Sequence, residues 1–328
     1  MSEENVQPFR WCFIGTGKLA HQVAGEITES QRRRIVSVYT RRPEAGQEFA
    51  RAFGAVSYMD ARHAICDPQT EGVYIVTPHN SHHEYAKLAI ELGKPVLCEK
   101  PVTTDAVQAE ELIRLAKEKN VYFAEAMWTW FSPVAHQVKR WLDAGEFGDI
   151  KKVIANYHMN SIAYAPRVSD PARAGGALLD IGVYPITYLY RLFGHPEEIR
   201  CEGVLKNGID VSEDVHMTIN GTVYTASASI VDFKGLEKIK ITGNKGSITI
   251  PMFHMAKKAV LHRRGNGSEV FRGDGSYLNE FDCAAREIRQ GLTESPLVPH
   301  QATLDVMKIM DECRRQMGLV YPFEKAGG

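Results

Sequence analysis

The chain has 328 residues, 44% of them hydrophobic, which is more than one ordinary core organises, so we expect two domains. Its 39 basic and 40 acidic side chains leave a formal net charge of -1, which excludes a strong field for nucleic acid or an anionic membrane. No apolar run approaches the ~20 residues of a membrane span, and six dispersed cysteines indicate reduced, buried thiols. We therefore expect a cytoplasmic protein with a small-molecule substrate, without nucleic-acid or membrane partners.

The first part of the chain alternates short apolar runs with amphipathic stretches. Leu19, Val23 and Ile27, between the first two runs, recur at helical spacing. Such alternation predicts right-handed crossovers and a doubly wound parallel sheet. The candidate strands are residues 11–14, 35–39, 55–58, 73–76, 96–98 and 121–124.

A glycine-rich turn follows the first strand and opens a helix. Gly15 allows the tight turn, Gly17 lets the backbone approach a pyrophosphate, and Ala20 is small enough for helix–strand packing. The helix start offers free N–H groups to phosphates. Any tight turn uses glycines, but this strand–turn–helix setting favours a dinucleotide cofactor.

The end of the second strand indicates which dinucleotide binds. An acid about 20 residues after the glycines would hold the ribose of NAD, but the first acid is Glu44. Arg41 and Arg42 stand there instead, and their guanidinium groups favour the 2′-phosphate of NADP. The alternative is a solvated arginine pair that opens a helix, with NAD as the cofactor.

Three histidines follow the strand at 73–76. His79, His82 and His83 have a spacing that suggests a metal, but no carboxylate or thiol lies beside them at ligand spacing. A loop that lines a cofactor groove equally needs small polar groups, so we expect no metal site.

The strand at 96–98 ends abruptly in Glu99, Lys100 and Pro101. In an open parallel sheet, ligands lie beyond the carboxyl ends of the strands, so Lys100 is a candidate proton carrier in a crevice. The alternative is that Glu99 and Lys100 only cap the strand in solvent.

The second half is rich in strands joined by turns such as those at Asn220-Gly221 and at 244–246. Helices are predicted at 177–193, 278–290 and 303–316. Asp180 and Tyr184 lie four residues apart in the first of them and share a face. The alternative is that the helix only buries the Tyr184 ring with its hydroxyl bonded. The predicted strands are 152–157, 199–205, 215–219, 223–230, 239–242, 247–250 and 260–262.

Several blocks together resemble the glucose-fructose oxidoreductase, inositol dehydrogenase and MocA family over almost the whole chain. Within that family, 125–129 resembles the branch of dimeric dihydrodiol dehydrogenases and NADP-dependent D-xylose dehydrogenases. Trp130 departs from the usual arginine of this branch and Ala174 from a common glycine, so the usual substrate is not carried over. The matching blocks are 15–17, 77–82, 93–101, 175–185 and 318–324.

The resemblance implies an N-terminal Rossmann domain, 1–126, and a C-terminal α+β domain, 127–328, with a large open, mainly antiparallel sheet that often forms a homodimer contact. It implies Lys100 and Tyr184 as the acid–base pair, with Asp180 orienting a substrate hydroxyl. Lys100 would supply the cation that a phenol of reference pKa near ~10 needs. Further cofactor-binding residues are expected at Gly15, Thr16, Gly17, Lys18, Leu19, Thr40, Arg41, Arg42, Thr77, Pro78, Asn80, His82, Glu99, Lys100 and Pro101, and substrate-binding residues at Trp128, Trp130, Phe131, Tyr164 and Asp180.

These residues predict an NADP-dependent oxidoreductase that moves hydride to or from a sugar, polyol or dihydrodiol. The aromatic residues at 128–131 would form a stacking wall for a ring, or equally an interdomain core. Two alternatives stay open: an NAD-dependent glycosidase on the same fold, and a non-catalytic cofactor-sensing regulator, which would be expected to lose Lys100, Asp180 or Tyr184.

Overall fold

The computed structural model describes residues 7–29, 32–163, 165–234 and 236–325. Its strands, in chain order, are β1 Phe9–Ile14, β2 Arg33–Tyr39, β3 Val56–Tyr58, β4 Gly72–Ile75, β5 Val96–Glu99, β6 Phe123–Ala126, β7 Ile150–His158, β8 Glu198–Lys206, β9 Ile209–Ile219, β10 Thr222–Ser229, β11 Lys238–Gly243, β12 Gly246–Pro251, β13 Lys258–Arg263 and β14 Gly267–Arg272.

The helices connect these strands in the alternating pattern that the sequence predicts for the first part of the chain. A single π-helical turn, Leu178–Gly182, runs directly into α8. The α-helices are α1 Lys18–Thr28, α2 Pro43–Phe53, α3 Ala61–Ile65, α4 His82–Glu91, α5 Ala106–Lys119, α6 Trp128–Phe131, α7 Pro133–Asp143, α8 Val183–Phe193, α9 Leu278–Arg289, α10 His300–Met317 and α11 Pro322–Lys325.

The chain forms two compact units. The first unit comprises Met1–Thr103, Val107–Met127 and Tyr277–Thr303, and the second comprises Thr104–Ala106, Trp128–Ser276 and Leu304–Gly328. The break after Met127 lies one residue from the boundary expected at 126. The segment Tyr277–Thr303 returns to the first unit because Phe281 of α9 packs its ring within 5.1 Å of Trp11 and 4.8 Å of Tyr74.

The first unit is built on a six-stranded parallel sheet with the order β3-β2-β1-β4-β5-β6. This order places the switch point between β1 and β4, where a doubly wound sheet binds its ligand. β4, β5 and β6 are buried along their whole length, as expected for parallel strands covered on both faces. The predicted Rossmann sheet is confirmed.

The second unit is built on an eight-stranded sheet with the order β14-β13-β12-β11-β7-β10-β9-β8. Only the β7–β10 pair in this sheet is parallel, so the predicted mainly antiparallel sheet is confirmed. Its strands alternate between buried residues and residues that are half-buried or exposed, as in the run Tyr224, Thr225, Ala226 and Ser227 of β10. One face of the sheet is therefore covered and the other is open.

Sequence reasoning missed β14, α6 and α7. β14 is a largely exposed edge strand, so its residues lack the apolar alternation that identifies a half-buried strand. Five of the six cysteines are buried, as expected, but Cys66 is exposed. No helix in the described ranges is long and apolar enough to cross a membrane.

Candidate active site

The loop from β1 to α1 is an open glycine turn. Gly15 has a φ of 112°, and a Cβ atom added to it would lie 2.7 Å from the Val76 carbonyl oxygen, so only glycine fits. Gly17 precedes α1, and no atom outside its chain neighbours lies within 4 Å of the position its Cβ would take. The loop thus leaves space in front of the free N–H groups at the start of α1, where Lys18 is exposed and Leu19 half-buried.

Two buried threonine hydroxyls near this turn lack hydrogen-bond partners among the described residues. They are Thr16 Oγ1, in the turn, and Thr77 Oγ1, just after β4, the strand that pairs with β1. A buried hydroxyl left without a partner costs about 1–3 kcal/mol, which a ligand oxygen would offset. The open turn and the two hydroxyls fit a dinucleotide cofactor.

β2 ends beside two exposed arginines. Arg41 and Arg42 lie between Thr40, which is half-buried, and α2. Within the described ranges, neither guanidinium makes a hydrogen bond or an ion pair, and the first acid is Glu44 in the first turn of α2. Both positive charges are thus available to an anion, and no carboxylate stands where NAD would need one.

His82 joins two loops at the ends of β4 and β5. Its ring is fully buried, with Nδ1 2.8 Å from the Pro101 carbonyl oxygen and Nε2 2.9 Å from the Thr77 carbonyl oxygen. The His82 ring therefore lies between the carbonyl oxygens of the two loops and donates from whichever ring nitrogen carries a proton. In the loop at 77–82, Pro78 is half-buried and Asn80 exposed.

Glu99 shapes the turn that presents Lys100. The Tyr74 hydroxyl donates to one Glu99 carboxylate oxygen at 2.5 Å, and the Lys100 backbone N–H donates to the other at 3.2 Å. Burial raises the pKa of Tyr74 well above its ordinary value, so this hydroxyl keeps its proton and remains a donor. Lys100 is 9% exposed, which rejects the alternative of a strand cap in solvent.

Glu125, at the end of β6, holds the segment that follows Pro101. Its carboxylate accepts from the Val102 N–H at 3.2 Å and from the Thr303 hydroxyl at 3.0 Å. Burial raises the pKa of Glu125 to about 7. Sequence reasoning missed this residue because a single acid in an apolar strand carries no spacing signal.

The three histidines have other partners than a metal ion. His83 Nε2 lies 2.9 Å from a Glu111 carboxylate oxygen, and the His79 ring lies 5.8 Å from the His82 ring. Over the described ranges, no group of three or more histidine, cysteine or carboxylate side chains is placed to hold a metal.

In the second unit, Asp180 lies in the π-helical turn that precedes α8. The predicted single helix at 177–193 is therefore interrupted at its start. The Asp180 carboxylate is buried and accepts from the Arg167 guanidinium at 2.8 Å. Arg167 was missed because it lies in a short 3-10 segment without periodicity.

Two buried acids explain the glycines around this turn. A Cβ atom at Gly176 would overlap an Asp210 carboxylate oxygen, and one at Gly182 would overlap a Glu213 carboxylate oxygen. Asp210 also accepts from the Leu178 N–H at 2.6 Å. Burial, together with the charge of Asp210, raises the pKa of Glu213 well above its ordinary value.

Tyr184, in the first turn of α8, has its hydroxyl hydrogen-bonded to the Trp128 indole nitrogen at 3.1 Å. Both side chains are buried. The Tyr184 ring also lies 5.9 Å from the rings of Tyr157 and His254, and these two stack on each other at 4.8 Å. His254 was not predicted, because it stands alone in a turn after β12.

The other predicted aromatic residues take different places. Trp130 packs edge-on to Tyr188 at 5.6 Å, and the Arg191 guanidinium lies over the Trp130 ring at 4.8 Å, so this indole belongs to the core of the second unit. Phe131, the next residue in the chain, is also buried. Tyr164 lies outside the described residues.

Comparisons with known proteins agree with this geometry. Residues 9–127 match the model of an oxidoreductase family with an NAD-binding Rossmann fold, and residues 135–249 match the GFO/IDH/MocA C-terminal domain. The chain is 29% identical to D-xylose 1-dehydrogenase (NADP(+)) of Hypocrea jecorina, covering 98% of this chain and 95% of the relative. It is 30% identical to trans-1,2-dihydrobenzene-1,2-diol dehydrogenase of Danio rerio, and the match covers 95% of this chain and 98% of the relative.

The fold is also that of a solved structure, a 3-ketoreductase from Actinomadura kijaniata in complex with NADP and TDP-benzene. The TM-score is 0.85 at 23% identity, and the match covers 94% of this chain and 98% of the ketoreductase.

The buried Glu125 carboxyl makes stability depend on pH. Its folded pKa of about 7 exceeds the ordinary 4.5, so its favourable contribution is present below pH 4.5 and is lost as pH rises through 7. Glu125→Gln removes this titrating group. From pH 5 to pH 8, the unfolding free energy of the unmodified protein should therefore fall by about 2 kcal/mol more than that of Glu125→Gln. Urea denaturation at both pH values measures this, with Glu118→Gln at an exposed position as control; parallel pH profiles would refute the assignment.

Proposed function

The chain belongs to the GFO/IDH/MocA family of oxidoreductases and is an NADP-dependent oxidoreductase that acts on CH–OH groups, and we propose that its substrate is a sugar, polyol or dihydrodiol. The relatives that act on D-xylose and on a dihydrobenzenediol support this substrate class. The observation that carries the proposal is the buried Tyr184 hydroxyl, held by Trp128 in the turn after Asp180. The predicted NADP cofactor is confirmed.

The first unit would hold NADP. Gly15, Thr16 and Gly17 would receive the pyrophosphate at the start of α1, and Arg41 and Arg42 the 2′-phosphate. Thr77, Lys100 and the loops joined by His82 would line the nicotinamide half. When bound, the cofactor supplies the ring that takes up or gives the hydride.

Tyr184 and Lys100 would move the hydroxyl proton. In the oxidation direction, Tyr184 accepts the proton of the substrate hydroxyl as hydride leaves the same carbon; in reduction it returns that proton to the carbonyl oxygen. Lys100 would favour the ionised phenol by its charge and relay the proton. Asp180, fixed by Arg167, would accept a hydrogen bond from a neighbouring substrate hydroxyl.

The second unit would bind the substrate and pair two subunits. Its open sheet face exposes side chains such as Val223 of β10, at 57%, and Val270 of β14, at 49%. A sheet with one uncovered face is commonly covered by a second copy, so the protein would be a homodimer. A cytoplasmic location is part of the proposal, and the free cysteines support it because thiols stay reduced there.

If Arg41 binds the 2′-phosphate, its removal should weaken the binding of NADPH and not that of NADH. Arg41→Ala should weaken NADPH binding about 10- to 100-fold, the worth of hydrogen bonds to a charged group, and change NADH binding less than about twofold. Fluorescence titration with both cofactors measures this, and the preference should shrink at high salt. Arg51→Ala, an exposed arginine at the far end of α2, is the matched control. Equal affinities for NADPH and NADH in the unmodified protein would remove the claim.

If Tyr184 transfers the proton, removing its hydroxyl should slow turnover and leave cofactor binding unchanged. Tyr184→Phe keeps the ring and removes the hydroxyl, so turnover should fall by about 10²–10⁴ with unchanged NADPH affinity. Tyr188→Phe, one turn further along α8 and fully buried, is the control. A Tyr184→Phe enzyme that keeps more than about a third of its turnover excludes this acid–base role.

The proposed homodimer should have twice the 36.7 kDa mass of one chain when light scattering is measured at micromolar concentration. Thr225→Glu places a charge on the open face of the central strand β10, so it should yield single chains. A single-chain mass for the unmodified protein contradicts the dimer.

A further inference from the structure

We infer that Trp128 is a positioning residue for the reaction, because its indole N–H holds the Tyr184 oxygen and favours the ionised phenol. This inference rests on the proposed acid–base role of Tyr184. It gives Trp128 a task different from that of a wall against which a substrate ring stacks.

The direction of the hydrogen bond is fixed by chemistry. An indole nitrogen only donates, so in the 3.1 Å contact the Tyr184 oxygen is the acceptor. The phenol hydrogen is consequently directed away from Trp128. Because the indole cannot take up a proton, Trp128 does not compete with Tyr184 for the substrate proton.

The donor acts where water screens it little. Trp128 is 4% exposed and Tyr184 is 6% exposed. A hydrogen bond to an ionised acceptor in such surroundings is stronger than one to a neutral acceptor, so the contact tightens when Tyr184 loses its proton. This stabilises the phenolate relative to the phenol.

Neighbouring rings keep the indole in place. His254 contacts Trp128 edge-on at 5.6 Å and stacks on Tyr157, whose ring in turn lies 5.9 Å from Tyr184. The His254 backbone N–H donates to a Glu237 carboxylate oxygen at 2.7 Å, which ties the histidine to the start of β11. His254 thus contacts both partners of the hydrogen bond, Trp128 and Tyr184.

Other titratable groups near Tyr184 need separate control. They include His254 after β12, Glu237 just before β11, Tyr157 of β7, Asp180 in the turn before α8, and Arg167, which pairs with Asp180. His254→Asn is therefore measured beside the Trp128 variants. If the histidine rather than the indole governed Tyr184, His254→Asn would reproduce the whole effect of removing the indole N–H.

The experiment compares Trp128→Phe with Trp141→Phe, which removes an indole from a buried position of α7 outside the site. We expect kcat of Trp128→Phe to fall about 10- to 100-fold with KM changed less than about threefold, because the aromatic surface remains. The pH–rate profile of Trp128→Phe should also shift to higher pH by about one to two units, because the phenolate loses a hydrogen-bond donor. The tyrosinate absorbance of Tyr184, taken as the difference from Tyr184→Phe, should shift equally. Trp141→Phe should change neither kcat nor the pH dependence of the rate and of the tyrosinate absorbance.

A double-mutant cycle separates this inference from the proposed function. In the Tyr184→Phe background, Trp128→Phe should have almost no further effect on kcat. If Tyr184→Phe abolishes turnover but Trp128→Phe raises KM alone, or costs the same in both backgrounds, the inference is overturned and the proposed function stands. If Tyr184→Phe retains turnover, the proposed acid–base role itself is wrong.

Folding of Trp128→Phe is checked by thermal denaturation and NADPH binding. Should it not fold, benzothienylalanine placed at position 128 keeps the bicyclic shape and lacks only the N–H. The same loss of kcat and the same alkaline shift are then expected, and an unchanged profile overturns the inference.

Discussion

The cost of burying charged and polar side chains at the ends of apolar strands constrains the whole first unit. Glu99, Lys100 and Glu125 are each less than a tenth exposed, and a buried charge is tolerated only when hydrogen bonds replace its water. Tyr74 and two backbone N–H groups supply those bonds to the two acids, while His82 ties the neighbouring loops together. The turn that presents Lys100 is fixed as a result.

The second unit meets the same constraint with a different arrangement. Asp210 and Glu213 lie against the π-helical turn and its approach, and glycines at 176 and 182 make room for their carboxyl groups. The turn then carries Asp180 towards Arg167 and leads into Tyr184. The glycines at 176 and 182 thus allow a close approach between the backbone and the buried acids.

The sequence predicted what depends on local pattern. Strand and helix periodicity indicated both sheets, and the spacing of Gly15 and Gly17 indicated the cofactor turn, because these signals lie within a few neighbouring residues. Glu125, Arg167 and His254 could not be found in this way, since their roles arise from partners such as Thr303, Asp180 and Tyr157, which are distant in the chain. The interruption of the helix at 178–182 likewise depends on Asp210 and Glu213, some 30 residues further on.

The proposal on which this account depends is that Lys100 and Tyr184 act jointly on the hydroxyl proton. The most direct measurement is the single-turnover rate of NADPH oxidation by the unmodified enzyme, Lys100→Met, Tyr184→Phe and the double variant. If the two act together, the double variant should be slower than the slower single variant by no more than about threefold. Losses that multiply would show two independent contributions and contradict the claim.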